Sequence, residues 1–513
     1  MTTQAENNKR IAKNTFLLYV RMLITMGIGF YTSRIVLQYL GVIDYGIYNV
    51  VGGIVASLSV LNQAMSAATQ RFITFALGEG NLEHLKKVFK VSLTSQFLLS
   101  IIIVIIIESI GLWYLKNYAV IPTNRIDSAT IVFHISTFTM FLSILNVPFL
   151  GTIMAHEKMG AYALFSISDV IMKLLICFVL IYTTHDKLIL YSILLFITYL
   201  LNFSFIQIYS FKKFTEVTYK FDWDRSLFKQ ITKFASWTIF GNIAYVGYTQ
   251  GITLLINLFF GPAVNAASGI ASQATNILNQ FSTNFQTALN PQITKDYAKK
   301  DLYNMYLLIE RSSKFSYFLM IILAIPLFCE ADLLLRLWLG EVPQYSKIFM
   351  QIGLFISMFN AVRNPLSTAA MASGKLQQFQ LYVNGLLLMV CPLIYLLYLF
   401  SFPPETSSIV FLIFLFLATL LSAYRLKFMI GLNYKSYVHN VIYKIFQVTI
   451  LSFIIPLSIC FLMEESYARL IVITLISFIT SSMVIYNIGL NKNEQIFIRE
   501  KSISLLKKYI YKK

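Results

Sequence analysis

The chain has few charged residues and very few histidines or cysteines. Asp, Glu, Lys and Arg make up 12% of its 513 residues, and it has five histidines and four cysteines. Soluble globular domains carry about 25% charged residues, so this composition excludes a soluble globule. The cysteines have no CxxC spacing, so we interpret them as packing residues rather than disulfide or metal ligands; they are Cys177, Cys329, Cys391 and Cys460.

Sequence motifs of catalysis are also missing. The chain has no HExxH, no GxSxG, no P-loop and no cluster of acids in a long loop between apolar stretches. These patterns mark metalloproteases, serine hydrolases and nucleotide-driven pumps. We therefore predict that the protein is not an enzyme, that it holds no metal or cofactor, and that any transport draws on substrate concentration or on an H+ or Na+ gradient.

Apolar residues dominate what is present. They form 57% of the chain, the mean hydropathy is +0.68, and fourteen apolar stretches follow one another. A helix of about 20 residues crosses the roughly 30 Å hydrocarbon core of a bilayer, so we predict an all-α integral membrane protein. The predicted spans are Asn14 to Leu40, Tyr45 to Phe75, Val88 to Leu115, Ser128 to Met154, Ala161 to Tyr182, Leu188 to Phe211, Phe234 to Phe260, Ala263 to Leu289, Ser312 to Cys329, Ile348 to Ala370, Phe379 to Phe402, Ile409 to Tyr424, Val441 to Met463 and Leu470 to Leu490.

The chain has a formal net charge of +18, and its Lys and Arg residues gather in every second gap between these spans. Such alternation is the positive-inside pattern, and it places both termini in the cytoplasm. Because the basic residues are dispersed over loops, we expect anionic membrane lipid as their partner and no nucleic acid.

A weak internal repeat divides the chain. Sliding the sequence by 220 positions pairs Gly27 with Gly247 and Gly41 with Gly261. Six spans separate the two starts, so we predict two six-helix lobes in parallel orientation around a central cavity, for which a monomer is sufficient. The predicted boundaries are 1–213 for the N-lobe, 214–431 for the C-lobe, and 432–513 for two extra spans and a basic tail.

Polar side chains line one face of two predicted spans at spacings of three and four. Amides and hydroxyls that face lipid are costly, so these faces are expected to meet protein or water. Hydrogen bonding between helices would explain them; we favour the lining of a cavity, because the faces occupy equivalent places in the repeat. The residues are Asn62, Ser66 and Gln70 in span two and Gln273, Asn276, Gln280 and Asn284 in span eight.

Basic residues also occur inside spans. Arg21 and Arg34 belong to span one and Arg363 to span ten. An arginine in a bilayer needs a cavity, an ion pair or an anion, and guanidinium binds phosphate in a bidentate fork. Arg21 and Arg363 are candidate anion ligands, with an internal ion pair as the alternative. Arg34 is a weaker candidate ligand, because it is close enough to the outer end of span one for its side chain to snorkel to the membrane interface.

Asp169 and Lys173 are four residues apart in span five, in the order that favours a helical ion pair. We interpret them as a self-neutralised structural pair. Coupling of transport to H+ or another cation through Asp169 is the alternative.

The junction of spans one and two reads Leu40-Gly41-Val42-Ile43-Asp44-Tyr45-Gly46-Ile47-Tyr48, with Arg34 upstream and Arg71-Phe72 further on. This motif resembles the LG-x-x-(D/E)YG-(I/L)-Y pattern of bacterial polysaccharide-export flippases, a branch of the MOP superfamily that includes MATE exporters and the lipid II flippase. Fourteen spans are similar to the lipid II flippase, whereas the motif is closer to the oligosaccharide branch.

The resemblance implies which molecule is transported and which residues bind it. The cargo would be a polyprenyl-pyrophosphate-linked oligosaccharide, flipped across the bacterial inner membrane by alternating access for O-antigen or capsule assembly, with other glycan-assembly membrane proteins as possible partners. Arg21, and after it Arg363 and Arg34, would receive the pyrophosphate. A cation-coupled multidrug antiporter and a membrane glycan polymerase or ligase are the competing hypotheses; the short outer loops disfavour the enzyme.

Overall fold

The computed structural model of the protein describes residues 4–57, 59–117, 121–183, 186–339, 341–496 and 499. These residues form helices joined by short loops, and no strand occurs among them. The α-helices are α1 Gln4–Ser57, α2 Ser59–Glu79, α3 Leu82–Ile106, α4 Leu112–Asn117, α5 Ile126–Leu145, α6 Val147–Ala155, α7 Met159–Tyr182, α8 Lys187–Lys213, α9 Arg225–Ala298, α10 Leu302–Cys329, α11 Ala331–Leu339, α12 Ser346–Ser373, α13 Leu376–Leu388, α14 Val390–Leu399, α15 Thr406–Ile430, α16 Tyr434–Tyr437, α17 Lys444–Leu462 and α18 Tyr467–Val484.

The all-helical membrane class is confirmed. Eleven helical segments among the described residues are long and apolar enough to cross a membrane, and α9 alone covers predicted spans seven and eight. Each of the fourteen predicted spans coincides with helix. Spans two and ten are not among the eleven, because their helices, α2 and α12, carry polar and basic residues within their apolar sequence.

Two helices contain a glycine corner. Inside α1, Gly41 has φ +78° and ψ 165°, and inside α9, Gly261 has φ +80° and ψ −177°. Residues with a Cβ rarely adopt this backbone conformation. The two glycines are a pair in the 220-position repeat, so the same break recurs at equivalent places.

The chain separates into two compact units. The first unit comprises Met1–Ile243, Thr287–Met305 and Met371–Gln380, and the second comprises Ala244–Gln286, Tyr306–Ala370 and Leu381–Lys513. The lobe boundaries expected from the sequence stay a prediction.

In the first unit, α1 packs on α7, α5 on α8, and α2 on α3 and α6. Its core contains buried aromatic pairs such as Phe89 and Phe149, whose ring centroids are 5.5 Å apart. Helix starts are fixed by side-chain caps: Asn81 accepts a hydrogen bond from the backbone N–H of His84, and Asp224 accepts one from that of Leu227.

In the second unit, α17 packs on α18 and α14 on α15. The unit also contains two ion-pair clusters: Glu330 with Arg469 at 2.7 Å, and Glu494 with Lys314 at 2.8 Å. Large apolar side chains on the outside of its helices, such as Leu258 and Ile450, are exposed as lipid-facing residues are expected to be.

Candidate functional site

Arg21 is held against an aromatic ring in the first unit. Its guanidinium carbon lies 5.0 Å from the ring centroid of Tyr162 on α7, and the side chain is half-buried. Leu18, Met159 and Ala288 form the buried apolar cluster on which Tyr162 packs. The contact is a cation–π interaction, which stabilises a cation away from bulk water.

The polar face of span two lies on α2, where Asn62, Ser66 and Gln70 are all half-buried. The Asn62 Oδ1 atom is buried and accepts no hydrogen bond from any described residue. A buried amide oxygen without a donor is costly, so water or a polar ligand at this face would be stabilising. The side chain of Arg34, which the sequence also singles out, lies outside the described residues.

Asp169 and Lys173 are in direct contact on α7. The Lys173 Nζ donates to Asp169 Oδ2 at 2.7 Å. The acid is less exposed than its partner, with 23% side-chain exposure against 46%. Any proton or cation that bound Asp169 would compete with the lysine, so the geometry favours the structural interpretation.

Arg363, in the second unit, has no carboxylate partner among the described residues. It lies within α12, half-buried, and its charge acts on the side chain of Tyr248, a residue that is 1% exposed. Its Nε atom is buried without a hydrogen-bond partner, and no ion pair among the described residues includes it. A cation of this kind inside a membrane helix favours the approach of an anion.

The polar face of span eight lies on α9 in the second unit. Gln273, Asn276 and Gln280 are exposed, whereas Asn284 is 7% exposed and donates from Nδ2 to the Gln280 carbonyl at 2.8 Å. Three exposed amides along one stripe of a membrane helix match a water-contacting surface better than a lipid-contacting one.

An ion-pair cluster at the first glycine corner was not predicted from the sequence. Arg125 donates from Nε to Asp44 Oδ1 at 2.9 Å and also pairs with Oδ2, and its Nη1 donates to Asp186 Oδ2 at 2.6 Å. Asp186 in turn accepts from Ser128 and caps α8. The cluster explains why the motif contains an acid, because Asp44 connects the glycine corner through Arg125 to the starts of α5 and α8.

Burial alone would raise the pKa of Asp186, but the hydrogen bonds that its carboxylate accepts from Arg125, the Ile189 backbone and Ser128 lower it below its usual value.

A second unpredicted cluster surrounds Glu157, whose side chain is fully buried. Its carboxylate oxygens lie 2.8 Å from Arg10 Nε and 2.7 Å from Lys295 Nζ. Asn14 donates to the Glu157 carbonyl at 3.1 Å, and Glu157 itself has φ +56°. A lone acid between His156 and Lys158, in the short gap after predicted span four, was the available sequence signal.

The predicted residues thus divide between the units. Arg21, the α2 face and the Asp169–Lys173 pair belong to the first unit, and Arg363 with the span-eight amides belongs to the second. Each unit thus contains an arginine within a helix, which can bind an anion, and a polar helix face, which can bind sugar hydroxyls.

Comparisons with known proteins agree with this architecture. A family model described as polysaccharide biosynthesis protein matches residues 11–295, more than half of the chain, and a second model, MatE, matches residues 238–396. No match to a curated protein was found.

Solved structures share the fold at low identity. An outward-facing multidrug resistance MATE family transporter of the MOP superfamily is 15% identical, with a TM-score of 0.69 over 84% of this chain and 99% of that one. A MOP superfamily transporter from Pyrococcus furiosus, described as having a binding pocket of reverse polarity, is 15% identical, with a TM-score of 0.67 over 82% and 97%. A variant Vibrio cholerae MATE transporter is 15% identical, with a TM-score of 0.68 over 85% and 98%.

Proposed function

Since the chain belongs to the polysaccharide biosynthesis protein family, we propose that it is a flippase for polyprenyl-pyrophosphate-linked oligosaccharide. It moves the lipid from the inner to the outer leaflet of the bacterial inner membrane by alternating access, for O-antigen or capsule-type assembly. Both termini lie in the cytoplasm. The family and the fold are those of membrane transporters rather than of enzymes.

Arg363 is the observation that carries the proposal. A half-buried guanidinium in a membrane helix, beside Tyr248 and with no carboxylate partner among the described residues, is suited to a pyrophosphate. Arg21, supported by Tyr162, supplies a second guanidinium in the first unit. A transporter of cationic drugs would instead need an uncompensated acid.

Each unit also has a polar helix face that offers hydrogen-bonding groups. The exposed amides Gln273, Asn276 and Gln280 and the half-buried Asn62, Ser66 and Gln70 offer donors and acceptors to sugar hydroxyls. Such neutral contacts select less strongly for one particular sugar than a charged contact would. If transport is coupled to H+ or Na+, Asp169 is the acid in question, and other glycan-assembly membrane proteins would supply and receive the lipid.

A deletion strain tests the proposal. It is complemented with the wild-type chain, with Arg363→Ala, with Arg363→Lys, or with Arg225→Ala as a control that removes an exposed arginine outside the spans. Surface glycan and lipid-linked precursor in the inner leaflet are then measured. We expect Arg363→Ala to lose surface glycan and accumulate precursor, Arg363→Lys to retain part of the activity, and Arg225→Ala to match wild type at equal expression. Normal surface glycan with Arg363→Ala would contradict the role of this residue.

A cation-coupled multidrug antiporter is the second candidate, because solved MATE transporters share the fold and α7 carries an acid. It predicts efflux of ethidium that falls with Asp169→Asn and is indifferent to Arg363→Ala. The flippase predicts the reverse dependence.

A further inference from the structure

The first unit contains a basic pocket that includes none of the candidate site residues described above. It has a volume of about 460 Å³ and is bordered by the end of α2, the start of α9 and the turn between α12 and α13. We call it the basic pocket. Its lining residues include Arg71, Phe72, Lys233, Trp237, Gly374 and Lys375.

Charge is one-sided in the basic pocket. Arg71, Lys233 and Lys375 line it, and no carboxylate is among the lining residues. The ion pairs among the described residues include none of the three cations. Glu79 acts on Arg71 from outside the lining, and within the basic pocket the three cations repel one another, so occupation by an anion is favourable.

Arg71 forms the fixed base of this cavity. Its Nε donates to the Met371 carbonyl at 3.1 Å and its Nη2 to the Ala372 carbonyl at 3.0 Å, and its guanidinium carbon lies 4.6 Å from the ring centroid of Phe72. Its Nη1 has no hydrogen-bond partner among the described residues. The guanidinium is therefore held in place with one nitrogen available for a ligand.

The turn is shaped to admit a close approach. Gly374 has φ +74°, and a Cβ there would lie 2.9 Å from the Arg71 Nη2 atom. The next helix, α13, begins at Leu376, so its positive dipole end adds to the cations. Lys233 and Lys375 are exposed at the mouth, where a head group could reach them.

The position favours a lipid over a soluble anion. Lys233 precedes span seven and Lys375 follows span ten, both on the side that the positive-inside pattern assigns to the cytoplasm. Trp237, half-buried in the same lining, belongs to the residue type that concentrates at membrane interfaces. We infer that the basic pocket binds the phosphate group of an anionic lipid in the cytoplasmic leaflet, whatever cargo the protein carries.

Trp237 supplies a direct probe. The other three tryptophans are replaced with Trp113→Phe, Trp223→Phe and Trp338→Phe, and the full chain is reconstituted in phosphatidylcholine bilayers. Brominated phosphatidylglycerol or brominated phosphatidylcholine is added at equal mole fraction, and quenching of Trp237 fluorescence is measured. We expect stronger quenching by phosphatidylglycerol, and a roughly thirtyfold loss of that preference in the Lys233→Gln/Lys375→Gln double variant, because each of the two lysines near an anionic surface contributes a factor of about five.

Lys229→Gln is the matched control, because it removes an exposed lysine of the same helix that does not line the basic pocket; it should keep the preference. Equal quenching by the two lipids, or an unchanged preference in the double variant, would overturn the inference. Loss of the preference on adding inorganic pyrophosphate at constant ionic strength would assign the site to a soluble anion instead and overturn the lipid as its source.

Native mass spectrometry of the chain with all four tryptophans gives an independent readout, so that poor folding of the single-tryptophan chain does not decide the outcome. Retention of added phosphatidylglycerol should fall in Lys233→Gln/Lys375→Gln and not in Lys229→Gln. Equal retention in both variants would overturn the inference.

Discussion

The two glycine corners share a backbone conformation but not a chemistry. Gly41 and Gly261 have φ near +80° and extended ψ at equivalent places in the repeat. At the first corner, Asp44 is held by the ion pairs of Arg125.

At the second corner, Gly261 follows two aromatic residues that pack on Tyr398. The ring centroid of Tyr398 lies 4.8 Å from that of Phe260 and 5.4 Å from that of Phe259. The Tyr398 hydroxyl donates to the Pro404 carbonyl at 2.7 Å. The shape of the corner is thus set by glycine, while different contacts stabilise each copy. A repeat can therefore be evident in the backbone and weak in the sequence.

The largest effect is expected from the glycines themselves. Gly41→Val and Gly261→Val should each lower the free energy of unfolding by about 3 kcal/mol, because a β-branched residue is strained at this φ and ψ. Apart from the adjoining backbone, no heavy atom of the described residues lies within 4 Å of a Cβ at either position, so the cost comes from the backbone rather than from crowding. Thermal unfolding in detergent measures it, with Gly27→Ala as the control. A loss of stability in only one of the two variants would contradict the equivalence of the two corners.

Removing the cation of the first corner should cost less, on the order of 2 kcal/mol, because Arg125→Gln leaves Asp44 and Asp186 close together without a cation. Unfolding temperature in detergent checks this. The loss should shrink when Asp44→Asn is added, since one of the two repelling charges is then gone. An additive double variant would show that the two residues do not interact.

Tyr398→Phe should destabilise the second corner by about 1 kcal/mol, the typical net contribution of one buried hydrogen bond. Because the ring contacts remain and no charge is involved, the loss should be the same in 50 mM and 500 mM salt. A salt-dependent loss would contradict the distinction between an ionic and an aromatic corner.

The smallest expected effect is a pH dependence confined to the first corner. The pKa of Asp186 is lowered in the folded state, chiefly by the Arg125 hydrogen bond acting against burial. Its stabilising contribution is therefore complete above the unfolded pKa of about 3.9 and is lost as the pH falls through the lower folded value. Between pH 5 and pH 3 the unfolding temperature of wild type should fall more than that of Asp186→Asn, which keeps a capping side chain. Parallel curves would contradict this.

Local patterns in the sequence were sufficient for much of the fold. The positions of the spans follow from apolar runs, and the contact of Lys173 with Asp169 follows from a spacing of four. Predicted spans one and seven end at Leu40 and Phe260, directly before the two corner glycines. Each of these signals lies within one or two helical turns, where periodicity and backbone sterics act directly.

The partners that assemble the units could not be predicted, because they are far apart in the chain. Arg125 is 81 residues from Asp44, Lys295 is 138 from Glu157, and the carbonyls bound by Arg71 are about 300 residues away. Only the packing of helices brings them together. A charged residue near the end of an apolar span, such as Arg71, signals that a partner exists without saying which one.

Flipping by the purified protein tests the central claim most directly. Proteoliposomes containing wild type, Arg363→Gln or Arg225→Gln are loaded with a fluorescent polyprenyl-pyrophosphate-linked saccharide, and the fraction that becomes accessible to an external quencher is followed in time. We expect wild type and Arg225→Gln to expose the label and Arg363→Gln to slow its exposure at least tenfold. Equal rates in Arg363→Gln and wild type, or no flipping above protein-free liposomes, would contradict a phosphate-guided flippase.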